Sequence, residues 1–108
     1  MDGYVSGGYI RFRLNNLAIA SIGAAGSLNV DVTISALPAN YVNAVGFAIP
    51  VDADLTAGLP APVMARITSA TNLRLRFVNP SAGAIDPDNT FDWNVYIFPE
   101  TGNVQQTV

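Results

Sequence analysis

Val63-Met64-Ala65-Arg66-Ile67-Thr68-Ser69-Ala70-Thr71-Asn72-Leu73-Arg74-Leu75-Arg76-Phe77-Val78 is the stretch that decides the fold. Val63, Ala65 and Ile67 alternate with Met64, Arg66 and Thr68. After a polar break, Leu73, Leu75 and Phe77 alternate with Arg74 and Arg76. A period of two marks a half-buried strand, so the stretch reads as a β-hairpin. Bringing both apolar sets to one face requires Ile67 opposite Leu73. The loop is then Ser69-Ala70-Thr71, flanked by Thr68 and Asn72. A two-residue turn would set Arg66 among the apolar residues, because a one-residue slip turns every side chain to the other face. This register also sets Arg66 opposite Arg74, with Arg76 nearby. Like charges directly opposite destabilise a strand pair. Carboxylates from another loop or another subunit are therefore expected over this face.

The same pattern extends outward in both directions. Tyr9 to Leu14 alternates until Asn15-Asn16 breaks it, and Leu17 to Ile22 is expected to resume it. Leu28 to Ile34 alternates cleanly. Tyr41 to Ile49 reads as a strand, with Gly46 marking a bulge or a close backbone approach. Pro50 ends that strand because it cannot donate to a ladder. Residues 52–62 are rich in proline and read as a long connection. Phe91 to Phe98 sets Phe91, Trp93, Val95 and Ile97 on one face and Asp92, Asn94, Tyr96 and Phe98 on the other. Bulky residues on both faces predict a strand covered on both sides. No segment has helical periodicity. The fold expected is all-β: an antiparallel β-sandwich, jelly-roll-like, of about seven or eight strands. It would occupy residues 9–99 as a single domain, between a pliable N-terminal arm (1–8) and a polar C-terminal tail (100–108).

Composition narrows the function. The 108 residues include no Cys, no His and no Lys, and the five arginines against eight acids leave a net charge of -3. Charged residues are 12% of the chain, where a soluble domain carries roughly 25%. Without His or Lys there is no Ser-His-Asp triad, Ser-Lys pair or Schiff base. Without Cys and His there is no ordinary zinc site, and no glycine-rich loop precedes a lysine as a P-loop requires. The acidic balance disfavours nucleic acid. No apolar run is long enough for a membrane-spanning helix. Arg11 and Arg13 before Leu17 to Ile22 imitate a signal peptide, but the apolar run is too short.

Several constellations remain. Asp52 with Asp54, and Asp86, Asp88 and Asp92, could pair for glycoside hydrolysis. Beside Pro, Asn and Ala they read better as turn formers that bond their own backbone. The run from Asp86 to Asp92 offers oxygens at alternate positions for calcium, yet lacks the glycine and closing glutamate of an EF-hand loop. No metal and no cofactor is assigned. Tyr4, Tyr9, Tyr41, Trp93 and Tyr96 would suit a glycan platform, although Trp93 is in phase with the core. Arg66, Arg74 and Arg76 fit salt bridges across an interface better than a free anion site.

From Asp54 onward the ordered motifs resemble a known group. They run Leu55-Thr56-Ala57-Gly58-Leu59, the hairpin already quoted, Asn79-Pro80-Ser81-Ala82-Gly83-Ala84-Ile85-Asp86-Pro87, and the closing Phe91 to Phe98. This order resembles small virion proteins of tailed bacteriophages and the β-rich tips of phage fibres. The resemblance covers just under half the chain and implies a jelly-roll sandwich, often trimeric, on the virion surface. It implies no catalytic residue. Since the chain starts at Met1 and spans one domain, no long fibre shaft is expected. A capsid decoration or head-fibre protein is expected instead, assembled in the host cytoplasm. Its partners would be its own copies and the major capsid protein or another virion protein. Contacts are expected at Arg66, Arg74, Arg76, Tyr96 and Phe98, with Tyr4, Val5 and Tyr9 in a docking arm. The alternatives are a glycan-binding tail or fibre tip and a head–tail connector component.

Overall fold

A computed structural model describes residues 4–6, 8–51, 61–86 and 92–99. They form seven strands: β1 (Tyr4–Ser6), β2 (Tyr9–Leu14), β3 (Ser27–Thr33), β4 (Val45–Pro50), β5 (Ala61–Ser69), β6 (Asn72–Val78) and β7 (Trp93–Phe98). A single 3-10 turn at Ala39–Tyr41 is the helical element among the described residues. All neighbours pair antiparallel, in the order β1-β2-β7-β4-β5-β6-β3. The all-β antiparallel class expected from the alternation is thus the fold. Its ladder is continuous, however, and does not divide into two separate sheets.

One sheet can bury one face only by curling. Ile10, Phe12, Ile67, Leu73, Leu75, Phe77, Trp93, Val95 and Ile97 are all at most 1% exposed. No long helix among the described residues covers them, so the sheet covers itself. Phe77 on β6 and Trp93 on β7 are separated in the ladder by β4 and β5. Flat, that separation would be roughly 14 Å, yet their rings meet edge-on at 5.2 Å. The sheet therefore curls until the inner faces of β6 and β7 meet over one core. Leu28, Val30 and Val32 of the edge strand β3 are only partly buried against it.

The fold turns at β4. This strand pairs with β7 from Val45 to Pro50 but with β5 only at Val45↔Arg66 and Gly46↔Ala65. Gly46 is the close approach the sequence suggested. A Cβ there would run into the Tyr96 carbonyl oxygen and sit 2.9 Å from Ile97 Cα. Only glycine lets the β7 backbone come so near.

The decisive hairpin has the expected register at Ile67↔Leu73, Arg66↔Arg74 and Ala65↔Leu75. A shift between Pro62 and Met64, however, sets Pro62, and not Val63, opposite Phe77, and the strand starts at Ala61, inside the expected connection. Its loop is different. Ser69 pairs with Asn72, leaving the turn Ala70-Thr71, and a register shift falls between Ile67 and Ser69. Thr68 is the extra residue of a bulge, which absorbs the one-residue offset that a short turn would otherwise impose. Tyr41 to Ala44 is likewise not strand, because the 3-10 turn after Pro38 carries the chain to Asn43 at φ 70° before β4 starts. Leu17 to Ile22 contributes only an isolated bridge, Ile22↔Ile85. Residues 4–6 of the expected arm pair with β2 as a short edge strand. Phe91 and the tail 100–108 lie outside the described residues.

Candidate functional site

Two outer sheet surfaces carry the residues of interest, and they are chemically distinct. On the half β2-β7-β4, register builds three rows across the strands. Tyr9, Phe98 and Val45 form one, Arg11, Tyr96 and Phe47 the next, Arg13, Asn94 and Ile49 the third. Tyr9 lies 5.8 Å from Tyr96 and 5.9 Å from Phe98; Phe47 lies 5.3 Å from Tyr96 and 5.8 Å from Phe98. Val45, Phe47, Ile49 and Phe98 are 43–48% exposed. Tyr96 and Phe98, expected at a contact, are thus gathered with Tyr9 in one aromatic cluster.

Strand β7 therefore has one covered face and one open one among the described residues. Trp93, Val95 and Ile97 are buried, as expected for Trp93, while Phe98 stands out to solvent. The expected cover over both faces is not met among the described residues.

Val45, Phe47 and Ile49 were not singled out by sequence reasoning. Their signal is an inverted strand: the outward residues are large, and the inward ones are Ala44, Gly46 and Ala48. Small inward residues are what a strand at a tight corner requires, and the large ones are left on the outside. The stripe β7-β4 carries no charge at its six outward positions. Arg11 and Arg13 flank it on β2, and Arg66 flanks it on β5. Asp92 secures that flank: it accepts from Arg13 Nη2 at 3.3 Å and from the Asn16 backbone N–H at 2.8 Å. This is the role found for one aspartate of the acid-rich run; Asp86 is exposed, and residues 87–91 lie outside the described residues, as do Asp52 and Asp54.

The second surface is the outer face of β5-β6-β3. Here Arg66, Arg74 and Arg76 come together, as the hairpin register required. The expected carboxylate is present, but it comes from the neighbouring strand and not from over the face. Strand β3 pairs with β6 and sets Asp31 opposite Arg74. Arg74 donates to Asp31 at 2.8 and 3.2 Å in a two-pronged contact. The hydrogen bond from Arg74 holds the Asp31 carboxyl below the ordinary carboxylate range, against a smaller opposing effect of burial. Arg66 donates to the Asn43 side-chain oxygen at 3.0 Å, and Arg76 to Asn29 at 3.1 Å and Ser27 at 2.8 Å. Between them lies a depression of about 390 Å³, completed by Asn29, Asn43, Thr68 and Met64.

Arg66, Arg74 and Arg76 thus fall on one surface and Tyr9, Tyr96 and Phe98 on the other, with the β4–β5 pairing at Val45↔Arg66 between them. Tyr4 and Val5 pair with Arg11 and Ile10 at the edge of the sheet. No family model, curated protein or solved structure matches this chain.

Proposed function

We propose that this chain is a non-enzymatic structural protein of a tailed-bacteriophage virion. It would be a capsid decoration or head-fibre protein that assembles with its own copies, as a trimer, and docks on the virion lattice. The virion setting and the jelly-roll path rest on the motif resemblance and on the curl of the sheet. Self-association rests on one observation, the uncharged aromatic stripe of β7-β4 with its arginine flanks.

The stripe has the anatomy of a contact surface, an apolar centre with a charged rim. A whole aromatic side chain offers roughly 150–250 Å². Two phenylalanines and the smaller Val45 and Ile49, all nearly half exposed, therefore leave on the order of 300 Å² of apolar area wet. At about 25 cal/mol per Å², covering it is worth at most about 7 kcal/mol per copy. Copies that turn their stripes to one another gain this on every side. Against an association cost of about 4–15 kcal/mol, this is a main apolar contribution to which the rim contacts must add. A glycan platform fits less well, because the rings are tilted by 31° to 56° against one another and offer no common flat face.

Light scattering on a sizing column tests this. The expected mass is three times the 11.4 kDa of one chain. Phe47→Asp, at an exposed position in the middle of the stripe, should give a folded monomer. A wild-type chain that stays monomeric at high micromolar concentration would overturn self-association. Failure to decorate purified phage heads would overturn the virion role.

A further inference from the structure

The arginine depression carries an excess of positive charge among the described residues. Three of the five arginines of an acidic chain converge there. Among the described residues, one carboxylate meets them, and Asp31 is committed to Arg74. Arg66 and Arg76 rest on amide and hydroxyl oxygens alone. Their guanidinium groups retain N–H donors beyond those contacts. Arg66 opposes Arg74, so Arg76 is its diagonal neighbour across the pair, with about 7–8 Å between such positions. Two arms at that spacing can close on one group between them.

We propose that this depression binds a doubly charged tetrahedral oxyanion, of the phosphate monoester class, between Arg66 and Arg76. Two unanswered positive charges match a group that carries about -1.5 to -2 at neutral pH. Its several oxygens can take both guanidinium forks, whereas a planar carboxylate fills one, as Asp31 does on Arg74. A volume of about 390 Å³ exceeds what a bare ion needs and lies at the small end of ligand sites. The remainder would house the alcohol part of the ester. Met64 offers it an apolar wall, and Asn43 and Thr68 offer hydrogen bonds. The site does not depend on the aromatic stripe, so the Phe47→Asp chain should bind equally well.

Titration calorimetry on the full chain at low salt, with glucose 6-phosphate and with inorganic phosphate, tests the proposal. One saturable site is expected. Arg66→Gln and Arg76→Gln should each weaken it at least ~10-fold. Arg11→Gln, on the other surface, should leave it unchanged. Asp31→Asn should tighten it several-fold by releasing Arg74. Binding should weaken as the pH falls below the second phosphate pKa of about 6. Asp31, the acid on this face among the described residues, stays ionised in that range. A tighter ester than free phosphate identifies the ester as the ligand; equal affinity identifies the ion. No saturable heat from either probe would overturn the site. So would undiminished binding by the folded Arg66→Gln, Arg76→Gln double variant, or an equal loss in Arg11→Gln.

Discussion

Replacing Asn79 by Asp changes one atom of a buried clasp and should destabilise the protein severely. Asn79 is 1% exposed. Its Nδ2 donates to the carbonyl oxygens of Ile22 at 3.0 Å, Gly23 at 3.1 Å and Gly83 at 2.7 Å. Its Oδ1 accepts from the Ser81 N–H at 2.9 Å and the Ser81 hydroxyl at 2.6 Å. The side chain thus pins the loop after Ile22 to the turn after β6. The Ile22 and Gly23 carbonyls keep the Ile85 and Gly26 N–H groups, and Gly83 can take the single Ser81 hydroxyl hydrogen once Oδ1 is gone. Simple loss of the amide in Asn79→Ala therefore costs a few net hydrogen bonds, about 2–3 kcal/mol. Asn79→Asp is worse, since it points a buried carboxylate at three carbonyl oxygens. A buried charge without a counter-charge costs about 3–5 kcal/mol, a Tm loss of about 15 °C or more in a domain this size. The sign with pH follows. The new carboxyl has a folded pKa raised above its unfolded value. Its penalty is full above the folded pKa and shrinks as the acid becomes neutral and able to donate. Urea unfolding from about pH 7 to about pH 4 should show Asn79→Asp recovering toward Asn79→Ala. A loss under ~1 kcal/mol at neutral pH, or one that does not shrink on acidification, would refute the clasp.

Gly46→Ala should cost about 3 kcal/mol or more in chemical unfolding, because the β7 backbone it meets cannot swing aside as a side chain can. Trp93→Phe should cost much less than the ~3–5 kcal/mol of Phe77→Ala, since the buried Trp93 Nε1 has no hydrogen-bond partner to lose. The lowered pKa of Asp31 adds stability that is present above its ordinary value of 3.8 and is lost as the pH falls through the folded value. Asp31→Asn should therefore flatten the acid limb of the Tm profile and leave neutral Tm little changed, the pair being exposed and screened.

Alternation made the strands legible, and the hairpin shows how far that goes. Requiring Val63, Ala65, Ile67, Leu73, Leu75 and Phe77 on one face was enough to pair Ile67 with Leu73 and Arg66 with Arg74. Alternation constrains faces and leaves loop geometry free, so the Thr68 bulge was invisible. Nor does it determine which strands become neighbours. In the clean alternation of Leu28 to Ile34, Asp31 falls at an outward position, but its meeting with Arg74 depends on β3 docking beside β6. The aromatic stripe was half legible for a related reason. Tyr96 and Phe98 were recognised as facing away from the Trp93 side, whereas Phe47 needed both the pairing of β4 with β7 and the start of β4 at Val45. Asn79 looked like a turn residue, and its bond to the Ser81 N–H is that turn. Its grip on Ile22 and Gly23 is a long-range contact that no local pattern encodes.

The two outer surfaces differ in the force they offer a partner, and salt should separate them. The stripe has aromatic and aliphatic groups at its centre, so its contribution comes from apolar area. Salt at molar strength does not screen that contribution and, with sulfate, strengthens it. The depression works through guanidinium charge at an exposed face. Raising ionic strength from about 0.1 M to about 1 M shortens the screening length from about 10 Å to about 3 Å. Oxyanion affinity should then fall on the order of 10-fold or more, while the oligomer mass stays the same. An oligomer that falls apart in step with oxyanion binding would mean that the arginine rims, and not Phe47 and its neighbours, hold the copies together. The low charge fraction makes this outcome informative. With Arg11 and Arg13 as the cations at one edge of the stripe and Arg66 at the other, an ionic assembly must run through those side chains. Arg11→Gln and Arg13→Gln would then dissolve it, whereas an apolar assembly should survive both.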